Sequence, residues 1–102
     1  MKILKILRKK WLSHRVYKYT LKYDNSLSER DYYYELSKNY YRSALYIEKE
    51  FNIADSNQIE YFKLSQEYKL KGDQLKNLAN IYLSKKLNLE EELQYYSNFH
   101  KV

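Results

Sequence analysis

The chain holds no proline and a single glycine, Gly72, in 102 residues. Those two residue types are the main interrupters of regular backbone. A chain that nearly omits them is driven toward long elements with short connections. No stretch alternates apolar and polar residues for more than a few positions, so strands find no support. The expected fold is all-α, with four to five helices arranged as antiparallel helical hairpins and a basic amphipathic helix at the N-terminus. A chain of this length makes one small domain and buries a core with little margin.

Helix ends are expected where local capping chemistry gathers. Asp24-Asn25-Ser26 reads as a break, and Ser26 with Glu29 forms a capping-box pattern. The helix after it is expected to reach Phe51, with Tyr33, Leu36, Tyr40, Ala44, Ile47 and Phe51 on its inner face and Tyr34, Tyr41 and Leu45 widening the stripe. Asp55 with Gln58 is a second capping box, and Ala54 and Ile59 are spaced as a hydrophobic staple. Tyr61, Leu64 and Tyr68 share a face of the next helix. Gly72 suits a left-handed C-cap and Asp73 the next N-cap. Asn88 with Glu91 is a third capping box, ahead of a short last helix over 89–99. Breaks are therefore expected near 24–27, 52–56, 72–73 and 87–89.

Charge is unevenly placed. Residues 1–23 contain eight of the 19 Lys and Arg and no acid, while 24–102 hold 11 basic and 13 acidic groups, a net of −2. The formal charge of +6 is thus confined to the first helix, which sets 1–23 apart from a helical domain over 24–102. Within it Ile3, Leu4, Leu7, Trp11, Val16, Tyr19 and Tyr23 recur near the helical period. A confined cationic segment marks where a chain meets something anionic. Lys2, Lys5, Arg8, Lys9, Lys10, Arg15 and Lys18, with Trp11 nearby, are expected to face that surface. An anionic membrane surface is the first choice, because charge sits on a single amphipathic helix. Nucleic acid is second, since a dedicated binder spreads its basic face over several elements. The alternative is that the apolar stripe packs on the protein's own core and leaves the cations solvated.

Catalysis finds little support. His14 and His100 are far apart in sequence, and neither has a His, Asp or Glu three or four residues away on a shared helix face. One glycine cannot build a phosphate-cradling loop. No cysteine is present, so disulfides, thiol nucleophiles and Cys-ligated zinc are excluded. No catalytic residue, cofactor or metal is expected. No run of 18 apolar residues exists to span a membrane. Lys5, Arg8, Lys9 and Lys10 interrupt the apolar core that a secretory signal needs. The same segment is similar to a mitochondrial targeting helix, yet it is expected to be retained as part of the working protein. An intracellular location, mitochondrial or at a membrane surface, is the expectation.

Fourteen tyrosines enlarge the apolar share. Tyrosine joins a large ring to a polar handle and is enriched at interfaces. An AT-rich coding source, which favours Lys, Asn, Tyr and Ile, accounts for part of the count. Tyr33, Tyr34, Tyr40, Tyr41, Tyr61 and Tyr68 are the residues expected to pack against other protein chains.

Two family resemblances rest on short motifs. Leu64-Ser65, Tyr68 and Gly72-Asp73, with Ala44-Leu45 before them, resemble the tetratricopeptide repeat over about residues 33–86. There Leu, a small residue, Tyr and Gly mark the first helix and Ala-Leu closes the second. The expected close of the next repeat falls at Ser84-Lys85, which lacks the Leu, and Asn77 stands where a small residue is expected. The resemblance implies stacked helical hairpins that bind other proteins. Tyr40-Tyr41-Arg42, with Phe51 beyond, resembles the Leu-Tyr-Arg motif of small mitochondrial accessory subunits, with Tyr40 in place of Leu. In size and basicity the chain is also similar to helical immunity proteins of bacteriocin systems. The expected function is a non-enzymatic interaction or structural accessory subunit of a larger assembly, its basic helix on an anionic surface. The alternatives are a membrane- or nucleic-acid-binding module led by helix 1, or a small immunity-type protein.

Overall fold

The structure, a computed structural model, describes residues 2–51 and 56–99, with side chains for 3–47 and 57–96. Among them are two α-helices, α1 (Lys2–Phe51) and α2 (Ser56–Phe99), and no strand. The all-helical expectation holds, but the four to five helices are two. Positions 24–27, 72–73 and 87–89, expected as breaks, lie inside helices. The expected break at 52–56 falls mostly on residues outside those described, as do Ala54 and Asp55 of the staple and second capping box.

The physical reason is the packing of residues that recur along each helix. Buried and half-buried positions recur at steps of three and four along both helices. In α1 they run Leu12, Val16, Tyr19, Tyr23, Ser26, Arg30, Tyr33, Ser37, Tyr40, Ala44; in α2, Gln58, Tyr61, Ser65, Tyr68, Gly72, Leu75, Ala79, Tyr82. This is the seven-residue repeat of a coiled coil, which keeps one face of each helix on its partner. A cap contributes about 1 kcal/mol. Asp, Asn or Ser in a helix interior costs roughly 0.7 kcal/mol or less. Stopping α1 at Asp24 would gain the first and forfeit the seam beyond it, and seam packing supplies most helical stability.

The deepest α2 positions fall at every seventh residue and are short or polar: Gln58, Ser65, Gly72 and Ala79. The chain divides into two compact units, 26–77 and a terminal unit of 1–25 with 78–102. In the 26–77 unit the short residues bring the backbones together. Ser37 Oγ donates to the Ser65 carbonyl at 2.7 Å, and Ser65 Oγ donates to the Ser37 carbonyl at 2.9 Å. Only a short side chain permits such reciprocal bonds between helices. Gln58 Nε2 donates to the Ala44 carbonyl at 3.3 Å.

Gly72 acts here through its missing side chain. A Cβ at this position would lie 2.5 Å from Tyr34 Cδ1, so the glycine is the hole that receives the Tyr34 ring. Tyr34 then donates to Asp73 Oδ1 at 2.5 Å. That hydrogen bond, then desolvation and the Asp73 charge, push the phenol's pKa above its ordinary value.

Candidate functional site

The terminal unit is built on different side chains. Leu12 is its largest fully buried residue, Ala79 is also buried, and Tyr19 and Tyr82 form a ring pair with centroids 6.1 Å apart. Leu12, Tyr19 and Ala79 are the unit's only buried apolar residues among those described. The apolar residues nearer the N-terminus point away from the seam. Ile3 is 72% exposed, Leu4 70%, Leu7 56% and Trp11 47%, and Ile6, Tyr17 and Leu21 are also exposed. At 100° per residue, Ile3, Ile6, Leu7, Tyr17 and Leu21 fall on the arc opposite Leu12 and Val16. The segment is therefore apolar on two faces, and only one is covered.

Lys10 and His14 lie on the open face, and Lys9 and Lys18 flank it. Lys9, Lys10 and Lys18 are exposed, with no ion pair among the described residues. Lys5 is half-buried, and the side chain of Lys2 lies outside the described set. Between open face and seam runs a ladder of cations and rings. The Arg8 guanidinium lies 4.5 Å from the Trp11 ring centre, and that of Arg15 lies 5.5 Å from Trp11 and 5.1 Å from Tyr19. Lys22 Nζ is 5.4 Å from Tyr19 and 5.6 Å from Tyr82, and Lys85 Nζ from α2 is 5.7 Å from Tyr19. Each such contact contributes about 0.5–1 kcal/mol where exposed.

Arg15 also donates from Nη2 to the Tyr19 hydroxyl at 3.0 Å, while its buried Nε has no hydrogen-bond partner. Arg15, Tyr19, Lys85, Asn88 and Leu89 line an open cavity of about 230 Å³. Arg8 instead pairs with Glu92 (2.8 Å), a solvent-screened bridge. The triad Glu90 to Glu92 is split: Glu90 sits 3.8 Å from Lys86, and Glu92 takes Arg8. Sequence reasoning missed Lys22, Lys85 and Asn88 as members of this cluster. Lys85 and Asn88 are more than 60 residues from the basic segment, and only the register of α2 against α1 brings them in.

The six tyrosines expected at a partner surface lie in the 26–77 unit. Tyr33 and Tyr40 both stack on Tyr68, at 5.9 and 5.6 Å, and Tyr40 lies 5.8 Å from Tyr61. These four and Tyr34 are half-buried; Tyr41 is exposed, its ring edge-on to Phe62 at 5.6 Å. The most exposed tyrosines are Tyr17, Tyr32, Tyr46 and Tyr95. A larger open cavity of about 580 Å³ is lined, among the described residues, by Arg42, Ser43, Tyr46, Ile47 and Tyr61, of which Arg42 is charged. His14 is exposed, and His100 falls outside the described residues. Among the described residues no group of three His, Cys, Asp or Glu could hold a metal, and no helix is long and apolar enough to cross a membrane. Comparison with protein-family models, curated proteins and solved structures finds no match.

Proposed function

We propose that the chain is a non-enzymatic helical interaction protein that docks on an anionic membrane surface through its terminal unit. The observation that carries this is the uncovered face of Ile3, Ile6, Leu7, Tyr17 and Leu21, with Lys10 on it and Lys9 and Lys18 flanking it. An amphipathic helix of this kind lies in the interface, with apolar side chains among the acyl chains and cations at head-group level. Trp11, half-exposed on the rim, is the residue type that anchors at that depth. Each Lys or Arg near an anionic leaflet contributes about 1 kcal/mol.

A second role is assembly with other protein chains through exposed aromatic residues such as Tyr32, Tyr41 and Tyr46.

Co-sedimentation of the full chain tests the membrane reading. Vesicles of phosphatidylcholine with phosphatidylserine, vesicles of phosphatidylcholine alone, and RNA are run in parallel at low and high salt. The expected result is sedimentation with the anionic vesicles only, weakening as salt rises, and a blue shift of Trp11 emission. Binding to RNA alone, or to no vesicle, overturns it.

A further inference from the structure

We infer that the cavity between Arg15 and Lys85 is a receptor for a phosphate monoester group. The inference rests on the anionic-surface reading and deepens it, because a head group carries the same chemistry as a soluble phosphate ester.

The two helices bring like charges into one cavity without an acid. Arg15 from α1 and Lys85 from α2 line it with Tyr19, Asn88 and Leu89. Lys22 Nζ approaches the same tyrosine ring, 5.4 Å from its centre. None of these three cations has an ion pair among the described residues. Of the nearby α2 acids, Glu90 pairs with Lys86 and Glu92 with Arg8, and Glu91 is exposed and does not line the cavity. Converging cations repel unless an anion lies between them.

The donors fit a tetrahedral oxyanion. Arg15 lines the cavity with a guanidinium fork, and its Nε–H has no hydrogen-bond partner among the described residues. Tyr19 accepts from Arg15 and keeps its own hydroxyl proton to donate. Lys85 contributes an ammonium and Asn88 an amide. A carboxylate offers two coplanar oxygens, which one guanidinium fork satisfies. Donors from two helices and several directions suit the three terminal oxygens and double charge of a monoester instead.

Trp11 makes the site observable. It is the only tryptophan, and its ring centre lies 5.5 Å from the Arg15 guanidinium. Inorganic phosphate is titrated into the full chain at constant ionic strength, with chloride as the balancing anion, and Trp11 emission is followed. A saturable change is expected, weakened at least ten-fold by Lys85→Gln and largely kept by Lys85→Arg. Lys76→Gln, in the 26–77 unit, is expected to titrate like the unaltered chain. Circular dichroism verifies that each variant stays helical. A non-saturable response, or equal titration of Lys85→Gln and the unaltered chain, overturns the site.

A vesicle arm separates the two sources of phosphate. Phosphatidate presents a monoester, and phosphatidylserine at matched surface charge does not. Tighter binding to phosphatidate that Lys85→Gln abolishes supports the site with lipid as source. Saturation by inorganic phosphate with no vesicle binding supports it with a soluble source, and the membrane reading falls. Equal binding to both lipids, unaffected by Lys85→Gln, overturns the site and leaves the membrane reading standing.

Discussion

The two units share one pair of helices and one seven-residue repeat, yet they use it differently. The 26–77 unit carries eight basic and nine acidic residues, a net of −1, and the terminal unit carries 11 basic and four acidic, a net of +7. In the 26–77 unit, serine, alanine and glycine bring the helices together, and stacked tyrosines flank the contact. In the terminal unit the seam holds Leu12, Ala79 and the Tyr19–Tyr82 ring pair, and much of the apolar surface faces solvent. The repeat sets only which face is covered. The residues placed on it decide whether a unit satisfies itself or leaves chemistry for a partner.

The contrast breaks most sharply at the serine pair. Ser37→Leu puts a branched side chain where the helices meet and removes a reciprocal bond. Overpacking of about 1–3 kcal/mol and a lost hydrogen bond of about 1 kcal/mol act together, so a loss of about 3 kcal/mol in urea unfolding is expected. Ser37→Ala and Ser65→Ala are each expected to cost about 1 kcal/mol, because each removes one hydroxyl donor and leaves in place the carbonyl that the other hydroxyl uses.

Leu12→Ala probes the other unit. The expected loss is about 2–3 kcal/mol. Amide hydrogen exchange is expected to accelerate around residues 8–19 and the α2 segment 82–92 opposite them, while amides near Ser37 and Ser65 keep their protection. Uniform acceleration along both helices would show that the units do not differ in this respect.

Gly72 gives a smaller effect whose sign depends on its neighbour. Gly72→Ala alone is expected to destabilise, since displacing the Tyr34 ring and its bond to Asp73 outweighs the gain of about 1 kcal/mol in helix propensity. In a Tyr34→Ala background the hole is empty, and Gly72→Ala is expected to stabilise by about that amount.

The smallest effect is alkaline. Tyr34 has a raised pKa when folded, so the folded state holds this proton more tightly than the unfolded chain does. The stabilisation is complete below the ordinary tyrosine range and is lost as pH rises through the raised value. The melting temperature of the unaltered chain is expected to fall more steeply above pH 10 than that of Tyr34→Phe. Parallel curves would contradict the assignment.

Part of this arrangement was legible in the sequence. Missing proline and scarce glycine point to helices, and of the stripe Tyr33, Leu36, Tyr40, Ala44, Ile47 and Phe51, the residues Tyr33, Tyr40 and Ala44 are α1 seam positions. The helix count was misread because Ser26, Gly72 and Asn88 carry the local chemistry of helix ends. Capping rules weigh a few neighbouring residues, whereas packing along a seam acts over the whole helix. Ser65, Tyr68 and Gly72, which carry the repeat resemblance, are all seam positions of α2. Leu12 was passed over because the more conspicuous stripe through Leu4, Leu7 and Trp11 lies toward the outer face. The 3.5-residue spacing of Leu12, Val16, Tyr19 and Tyr23 was the signal that would have found it. Lys85 and Asn88 had no such signal, since their place beside Arg15 depends on interhelical register.

The central claim is that binding chemistry belongs to the terminal unit and not to net charge in general. Two triple variants with equal charge loss test it on the same anionic vesicles at low salt: Lys9→Gln/Lys10→Gln/Lys18→Gln and Lys63→Gln/Lys69→Gln/Lys76→Gln. At about 1 kcal/mol per lysine, the first is expected to weaken binding about 100-fold, and the second is expected to bind like the unaltered chain. Equal weakening of both variants, or of neither, would contradict the account.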